Sequence, residues 1–308
     1  MARFKLVLEY TGTRYSGWQI QTNARTVQGE LQRAVLKASR KRDVEIYGSG
    51  RTDAGVHALG QVAHLDVETK MAPEALRLGI NDELPPDIHV LSLEKASARF
   101  HARHDAVARS YLYQISRRRT AFGKPFVWWI KDPLTVGKML SAARVFRGMN
   151  DFTSFTAQKP EAGSTRVLVE EVALAEADDL ILIRIVGSHF LWKMVRRIVG
   201  VLAEAGRGTL SEADLRSFLK TKSGVPASVT APPSGLFLER VFYPGEPREH
   251  PLVPLLRISG GAAAPQSRDP SRVQNERWNR RRPRHFQAGQ VPDRAFGASG
   301  MTCDGVYL

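Results

Sequence analysis

Every second side chain is large and apolar in the stretch 4–10, near the start of the chain. A period of two is typical of a half-buried β-strand, so the first element is predicted to be a strand. Thr26 follows a polar loop and precedes apolar side chains at helical spacing over 27–38, which predicts a helix capped by Thr26. Two more strands are predicted over 44–47 and 61–67.

Helices and strands continue to alternate up to residue 243. The remaining predicted elements are a helix over 72–80 with Pro73 in its first turn, strands over 88–93 and 110–116, a helix from Asp132 to about Phe146, strands near 166–174 and 180–186, a helix over 190–205 with Gly206 at its end, a helix after Ser211, and a strand over 235–243. Two halves of similar order predict an α+β fold, in which subdomains 1–106 and 107–245 share one sheet.

The last part of the chain, residues 246–308, differs in composition from the rest. It holds seven of the 17 prolines and ten arginines but no lysine, and it lacks clear apolar periodicity. These features predict a mostly disordered extension rich in Arg and Pro, with the folded part ending near Pro244.

Most of the excess positive charge belongs to the predicted folded part. The chain holds 45 Lys and Arg against 31 Asp and Glu, a net charge of +14, of which +10 falls on residues 1–245. Basic proteins bind polyanions, because neutralising phosphates releases counterions. Nucleic acid is therefore the partner class that composition favours, and a merely basic surface is the alternative.

Cysteine usage and hydropathy narrow the class of protein further. The single cysteine, Cys303, excludes an internal disulfide framework and a cysteine-based metal site, and it is typical of a reducing compartment. The histidines show no metal-ligand spacing, and no stretch is apolar enough for a signal peptide or a membrane span. The sequence predicts a cytoplasmic protein with no membrane segment and no metal.

The densest run of small residues is Gly48-Ser-Gly-Arg-Thr-Asp-Ala-Gly-Val-His57, between two predicted strands. It lacks the third glycine of a dinucleotide-binding fingerprint and the Gly-Lys-Ser/Thr of a phosphate-binding loop. Arg51 stands two residues before Asp53, a spacing that permits an ion pair, and a neighbouring Arg keeps a carboxylate ionised for nucleophilic or base catalysis. In the alternative interpretation, Asp53 bonds only the amides of its own turn.

Two other segments place basic side chains beside aromatic or helical positions. Tyr111 lies on a predicted strand next to the basic connector that contains Arg103. Aromatic and basic side chains together favour contact with unstacked RNA bases and phosphates, although packing is the commoner role of a strand tyrosine. On the late helix, Lys193 and Arg196 share a basic face, which predicts contact with a phosphate or a catalytic carboxylate; a solvated surface is the alternative.

Seven blocks stand in a fixed order along the chain. They are Tyr10-Thr-Gly-Thr-Arg-Tyr-Ser-Gly-Trp-Gln19, the segment from Gly48 to His64, Phe100-His-Ala-Arg103, Arg109-Ser-Tyr-Leu-Tyr113, Asp151-Phe-Thr-Ser-Phe155, Phe190-Leu-Trp-Lys-Met-Val-Arg-Arg-Ile-Val-Gly200 and Thr230-Ala-Pro-Pro-Ser-Gly-Leu236. Together they closely resemble the tRNA pseudouridine synthase A family. The resemblance covers residues 3–244 and stops where the extension begins.

The resemblance implies a pseudouridine synthase fold. In that fold two ferredoxin-like or RRM-like subdomains are joined through a continuous, mainly antiparallel sheet, with helices packed on one side. It also implies a homodimer that binds tRNA. The implied activity is a cofactor-free isomerisation of uridine to pseudouridine at positions 38, 39 and 40 of the anticodon stem-loop.

The family motifs also imply roles for individual residues of this chain. Asp53 is expected to be the nucleophile, Arg51 to pair with it, Arg196 to be a second partner of the carboxylate, and Tyr111 to contact the base. Further substrate contacts are expected from Arg14, His57, Arg103 and Lys193.

The sequence departs from the family pattern at two places. Asn150 stands where relatives commonly have His, and Trp192-Lys193 precedes the Met-Val-Arg element where many relatives have His. Neither change affects Asp53. A non-catalytic tRNA-binding or RNA-folding module on the same scaffold is the alternative function. A metal-dependent nuclease is disfavoured because the histidines lack ligand spacing.

Overall fold

The computed structural model of the protein describes residues 1–157 and 163–256. Most of the predicted extension, residues 257–308, lies outside the described residues, so its predicted disorder stays a prediction.

Ten strands within the described ranges form a single sheet. They are β1 (Ala2–Tyr10), β2 (Glu45–Gly48), β3 (His57–Val67), β4 (Ile88–Lys95), β5 (Ala108–Ser116), β6 (Trp128–Trp129), β7 (Gly148–Asp151), β8 (Arg166–Ala177), β9 (Leu180–Gly187) and β10 (Leu236–Phe242). Their order is β4-β1-β3-β10-β5-β9-β8-β7, while β2 pairs with β3 and β6 pairs with β5. Neighbouring strands are antiparallel except in the pairs β3–β10 and β5–β6. Because β10 lies between β3 and β5, one sheet runs through both halves of the chain.

The described residues also form six α-helices. They are α1 (Val27–Ser39), α2 (Pro73–Glu83), α3 (Val136–Ala143), α4 (Met194–Arg207), α5 (Glu212–Lys220) and α6 (Val225–Ser228). The apolar sides of the longer helices and one face of the sheet enclose the main core. The predicted α+β class, with a continuous, mainly antiparallel sheet and helices on one side, is confirmed. The predicted division into subdomains 1–106 and 107–245 stays a prediction.

The opposite face of the sheet carries a smaller apolar cluster. Leu112, Leu182 and Phe237 are buried there, and Phe126 and Leu252 pack against them. This face is therefore covered by connecting segments of the chain.

The start of the predicted extension, residues 246–256, packs on that second face. Arg184, buried on β9, donates to the carbonyl of His250 at 2.8 Å and to both oxygens of Glu239 at 2.6 and 2.8 Å. A buried guanidinium needs such acceptors, because an unpaired buried donor destabilises the fold. The ordered chain therefore continues past the predicted end near Pro244.

The fourth helix differs from its prediction at both ends. The helix predicted over 190–205 begins at Met194, because Lys193 has a left-handed backbone, with φ 63°, which cannot continue a right-handed helix. It ends at Gly208, which has φ +84° and is the left-handed end residue that was predicted at Gly206.

Two further elements begin at other residues than predicted. The helix predicted from Asp132 begins at Val136, where the first intrahelical bonds run to the carbonyl of Thr135. The strand predicted from Gln61 begins at His57, because its first residues pair with the distant strand β10. Local periodicity carries no signal of that pairing.

Candidate active site

A cavity of about 890 Å³ lies between the loop after β2, the strand β5 and the start of α4. Its lining includes loop residues from 49 to 56, Tyr111 on β5, and the segment 189–196. The lining of the cavity therefore draws on six of the seven blocks on which the family resemblance is based.

The loop over 49–56 is held by side-chain hydrogen bonds at two residues that precede its tip. The Ser49 hydroxyl donates to Gln61 Oε1 on β3 at 2.8 Å. Thr52 is buried, and its hydroxyl lies 2.8 Å from the hydroxyl of Tyr10 on β1. Because these two residues are fixed on two strands, the side chain at the tip has a defined position.

Two glycines allow other chain segments to approach this loop closely. A Cβ on Gly17, which has φ +91°, would lie 2.6 Å from the carbonyl oxygen of Thr52. A Cβ on Gly48 would lie 2.6 Å from Nε1 of Trp18. Larger residues at either position would push the loop away from the sheet.

Asp53 lies at the tip of the loop and pairs with Arg196 on α4. Arg196 Nη1 is 3.3 Å from Asp53 Oδ2, and the two side chains are 14% and 22% exposed. Arg196 is itself fixed, because its Nε donates to the carbonyl of Ala231 at 2.7 Å. Within the described residues the carboxylate accepts no backbone N–H, so the alternative interpretation of Asp53 as a turn-bonding residue is not what the structure contains.

Arg51 does not form the predicted pair with Asp53. It is exposed and lines the cavity, and among the described residues it makes no ion pair. The two residues flank Thr52, whose side chain turns into the core to meet Tyr10. This correction leaves Arg196 as the observed partner of the carboxylate.

Tyr111 lies in the cavity beside Asp53. Its side chain is only 9% exposed, and its ring meets Phe190 edge to face with 5.1 Å between the ring centroids. Burial, and after it the nearby Asp53 carboxylate, raise the pKa of Tyr111 to about 12. The site thus combines a carboxylate, its arginine partner and a neutral phenol in one cavity.

Arg109 is a site residue that sequence reasoning did not assign. Its guanidinium is buried and donates to four carbonyl groups, those of Ser49 at 2.9 Å, Arg103 at 2.9 Å, Ala106 at 3.1 Å and Ser188 at 2.9 Å. These carbonyls belong to the loop, to the connector before β5 and to the end of β9. Burial lowers the pKa of Arg109, and no carboxylate of the described residues pairs with it. Its position two residues before Tyr111 on one strand face was the available signal.

The four expected substrate contacts fall into two groups. Arg103 and Lys193 line the cavity. Arg14 lies outside the cavity lining and pairs with Asp87 at 2.8 Å.

His57 is a core residue of β3. Its Nδ1 accepts from the backbone N–H of Gly12 at 3.1 Å, and its Nε2 lies 2.9 Å from the carbonyl of Pro125, to which it must donate. The ring stacks on Phe237 with 4.8 Å between centroids, and burial lowers its pKa. Both ring nitrogens are occupied, so the structure gives His57 no free atom for RNA.

Further cavity residues were not assigned from the sequence. His189, Phe190 and Trp192 line the cavity just before α4. Phe190 and Trp192 lie in the segment 190–205 that was predicted as helix, so the helical pattern hid their role as lining residues, and His189 stands just before that segment.

The described residues form neither a cluster of metal ligands nor a membrane-spanning helix. No group of three or more His, Cys, Asp or Glu side chains in the two described ranges is arranged to hold a metal ion. None of the helices formed by these residues is long and apolar enough to cross a membrane.

Comparison with known proteins gives consistent matches. The sequence pattern of the family described as tRNA pseudouridine synthase matches residues 6–105 and 142–244. The chain is 41% identical over 254 residues to tRNA pseudouridine synthase A of Geobacillus kaustophilus, which covers 82% of this chain and 98% of that protein. It is 38% identical over 244 residues to the protein of the same name from Exiguobacterium sibiricum, with 79% and 98% covered.

Among solved structures, the chain matches the crystal structure of a Cbf5-Nop10-Gar1 complex with a TM-score of 0.31 and 10% identity. The match covers 65% of this chain and 53% of that one, and the likeness is too slight to bear on the site. The sequence matches, by contrast, span both the loop that carries Asp53 and the helix that carries Arg196. The chain belongs to the tRNA pseudouridine synthase family.

Proposed function

We propose that the protein isomerises uridine to pseudouridine in tRNA, with Asp53 as the nucleophile. The observation that carries the proposal is the Asp53–Arg196 pair in the cavity. Asp53 is the one carboxylate among the described residues that line the cavity, and Arg196 is 3.3 Å from it. An adjacent guanidinium fixes the direction of a carboxylate, as a nucleophile requires.

The chemistry balances without a co-reactant. The carboxylate attacks the nucleoside at C1′ or at C6 of the base. In the first case an oxygen–C1′ bond forms as the C1′–N1 bond breaks, and the electron pair stays on the uracil. The freed base rotates, C5 bonds to C1′, and the carboxylate leaves. The base then loses the proton on C5 and gains one on N1, so the product is an isomer of the substrate.

The other cavity residues take supporting roles. Arg196 orients Asp53, and Tyr111 contacts the extruded base beside it. As a phenol with a pKa of about 12, Tyr111 is neutral at physiological pH and can relay the C5 proton to the Asp53 carboxylate. Arg51, exposed at the cavity, contacts the RNA.

The substrate is proposed to be the anticodon stem-loop of tRNA at positions 38, 39 and 40. A base within a stem is unreachable, so it must be extruded at a cost of a few kcal/mol, which phosphate contacts and stacking offset. Arg103 and Lys193 at the cavity are the proposed phosphate contacts, and Arg14 is a more distant one because its side chain is 64% exposed despite its pairing with Asp87.

The proposal extends to assembly, as the family resemblance implies, and to location. The protein is proposed to act as a homodimer that binds tRNA across both subunits. It is proposed to act in the cytoplasm, the compartment that holds tRNA in bacteria such as those of its relatives.

The test is tritium release from tRNA transcripts labelled at C5 of uridine, followed by mapping of the modified positions. The proposal predicts release of one tritium per pseudouridine, at positions 38, 39 or 40. Binding without release would favour the non-catalytic RNA-binding alternative. Release from other positions would overturn the assignment to the anticodon stem-loop but not the reaction.

A further inference from the structure

Trp192 is an exposed aromatic ring beside the catalytic cavity. It lines the cavity, yet its side chain is 54% exposed. Burial of a large aromatic ring stabilises a fold, so an exposed ring at a cavity lacks that stabilisation. Such a ring offers its face to a ligand.

The backbone that carries this ring is fixed. The carbonyl of Trp192 accepts from the backbone N–H of Ala157 at 3.0 Å and from the hydroxyl of Thr156 at 3.4 Å. The preceding carbonyl, that of Leu191, accepts from the N–H of Met194 at 3.0 Å. Because the segment is ordered before a ligand arrives, little conformational entropy is lost on binding.

Lys193 holds an unfavourable backbone conformation next to this ring. Its φ is 63°, and the two other residues with positive φ besides glycines in the described ranges, Arg40 and Asp178, lie at a helix end and in a hairpin turn. Lys193 instead precedes α4, where cap residues are normally extended. The left-handed region is unfavourable for a residue with a Cβ, and Gly or Asn at this position would reduce the strain.

The ammonium group of Lys193 lies over one face of the Trp192 ring, so a ligand would stack on the other face. Lys193 Nζ is 5.1 Å from the centroid of the Trp192 ring. Five of the six side chains with a formal charge in the described lining of the cavity are basic, and the sixth is the Asp53 carboxylate. The five basic residues are Arg51, Arg103, Arg109, Lys193 and Arg196. The occupant that fits is an anion with a flat ring, and a single-stranded nucleotide has both features.

We propose that Trp192 and Lys193 form a subsite for the nucleotide next to the target uridine. Its base stacks on the indole, and its phosphate pairs with the ammonium group. Arg196 lies four residues further along the same segment and contacts Asp53, so the subsite adjoins the place where the target base is extruded. This inference rests on the proposed function, because it specifies how the same site holds its RNA.

The test compares Trp192→Ala and Trp192→Phe with the wild-type protein in steady-state tritium release from tRNA. Loss of one stacked base raises KM about tenfold with little change in kcat, and Phe restores most of the loss. Trp129→Ala is the matched control. Trp129 is also exposed, at 41%, and has Arg119 over its ring, but it lies outside the cavity. The control variant keeps a KM within about twofold of wild type.

A double-mutant cycle identifies the stacked base. Transcripts that lack the base on the 5′ or on the 3′ side of the target are given to the wild-type protein and to Trp192→Ala. For one of the two transcripts, the increase in KM caused by Trp192→Ala and the increase caused by the missing base are not additive in free energy. Lys193→Asn keeps the backbone conformation. It lowers the slope of the logarithm of the binding constant against the logarithm of the salt concentration by the amount expected for about one phosphate contact.

The subsite is overturned if Trp192→Ala has the KM of the wild type. It is also overturned if the increase in KM from Trp192→Ala is fully additive with the increase from the missing base in both transcripts. The proposed function fails separately, when the wild-type protein itself releases no tritium from any tRNA.

Discussion

Asp53 stands out at the scale of single residues because its partner comes from a distant part of the chain. Its neighbour Arg51 does not pair with it. Its partner is Arg196 of the helix α4, whose Nη1 lies 3.3 Å from Asp53 Oδ2. The spacing of Arg51 and Asp53 suggested a local pair, but local spacing cannot show that Thr52 between them is drawn into the core. The family motifs indicated Arg196 as well, which periodicity alone only assigned to a basic face.

Tyr111→Phe tests the part played by the phenol hydroxyl. The ring that contacts the base is retained, but the proton relay to Asp53 is lost, so kcat falls about 100-fold while KM stays within about threefold. Single-turnover tritium release and tRNA binding measure the two effects. Because the pKa of Tyr111 is about 12, ionisation of this phenol adds no rise in the wild-type rate between pH 7 and 10. An unchanged kcat in the variant would exclude the relay.

At the scale of elements, the helix α4 determines where Arg196 lies. Gly200 brings this helix against the segment that Arg196 binds, because a Cβ there would lie 1.8 Å from the carbonyl oxygen of Val229. The backbone N–H of Ala231 in turn donates to the carbonyl of Arg196 at 3.0 Å. The close approach of helix and segment therefore positions the partner of Asp53.

Gly200→Ala is expected to separate α4 from this segment. The free energy of unfolding falls by about 1–3 kcal/mol, and the rate of pseudouridine formation falls with it, because Arg196 moves away from Asp53. Gly137→Ala in α3 is the matched control, since no atom lies within 4 Å of the added Cβ. That change raises stability by about 0.5 kcal/mol. Urea denaturation measures the free energy of unfolding of both variants. The same change in stability for Gly200→Ala and Gly137→Ala would contradict the packing argument.

The sequence predicted the elements better than their ends. The cap Thr26 and the start of a helix after Ser211 were predicted from the sequence, because both caps form hydrogen bonds within a few residues. The start of β3 at His57 depends on pairing with β10, and the start of α4 depends on the left-handed Lys193. Both depend on contacts or strain that a local pattern does not encode.

At the scale of the whole molecule, buried histidines make stability depend on pH. His64 on β3 is 1% exposed and accepts from the N–H of Ala102 at 3.1 Å through Nδ1. Burial, and after it the neighbouring Arg3, lower its pKa to about 4. The unfolded chain therefore binds a proton below about pH 6.5 that the folded protein does not bind.

The free energy of unfolding is expected to fall as pH drops from about 6.5 to about 4, by about 2–3 kcal/mol from His64, with no further loss from this group below pH 4. His64→Asn keeps an acceptor for Ala102 but does not titrate, so its stability declines less over this range. Thermal unfolding of both proteins at pH 8, 6 and 4.5 measures the difference. Parallel curves for the two proteins would contradict a neutral, buried His64.

Part of the excess positive charge of the molecule lies at the cavity that holds Asp53. Residues 1–245 carry +10, and five basic side chains line the cavity that holds Asp53. Composition favoured a polyanion in general, whereas the cavity specifies where one strand of it would lie. The second sheet face, on which residues 246–256 pack, had no counterpart in the sequence interpretation, because a segment interrupted by three prolines gave no periodic signal.

The most direct measurement is the rate of pseudouridine formation by Asp53→Asn in a tRNA anticodon stem-loop, with Asp43→Asn as the matched control at an exposed position. The amide cannot act as the nucleophile, so the rate falls at least about 1,000-fold. The affinity for tRNA stays within about threefold, and the control variant keeps the wild-type rate. A wild-type rate in Asp53→Asn would contradict the central claim that this carboxylate carries the reaction.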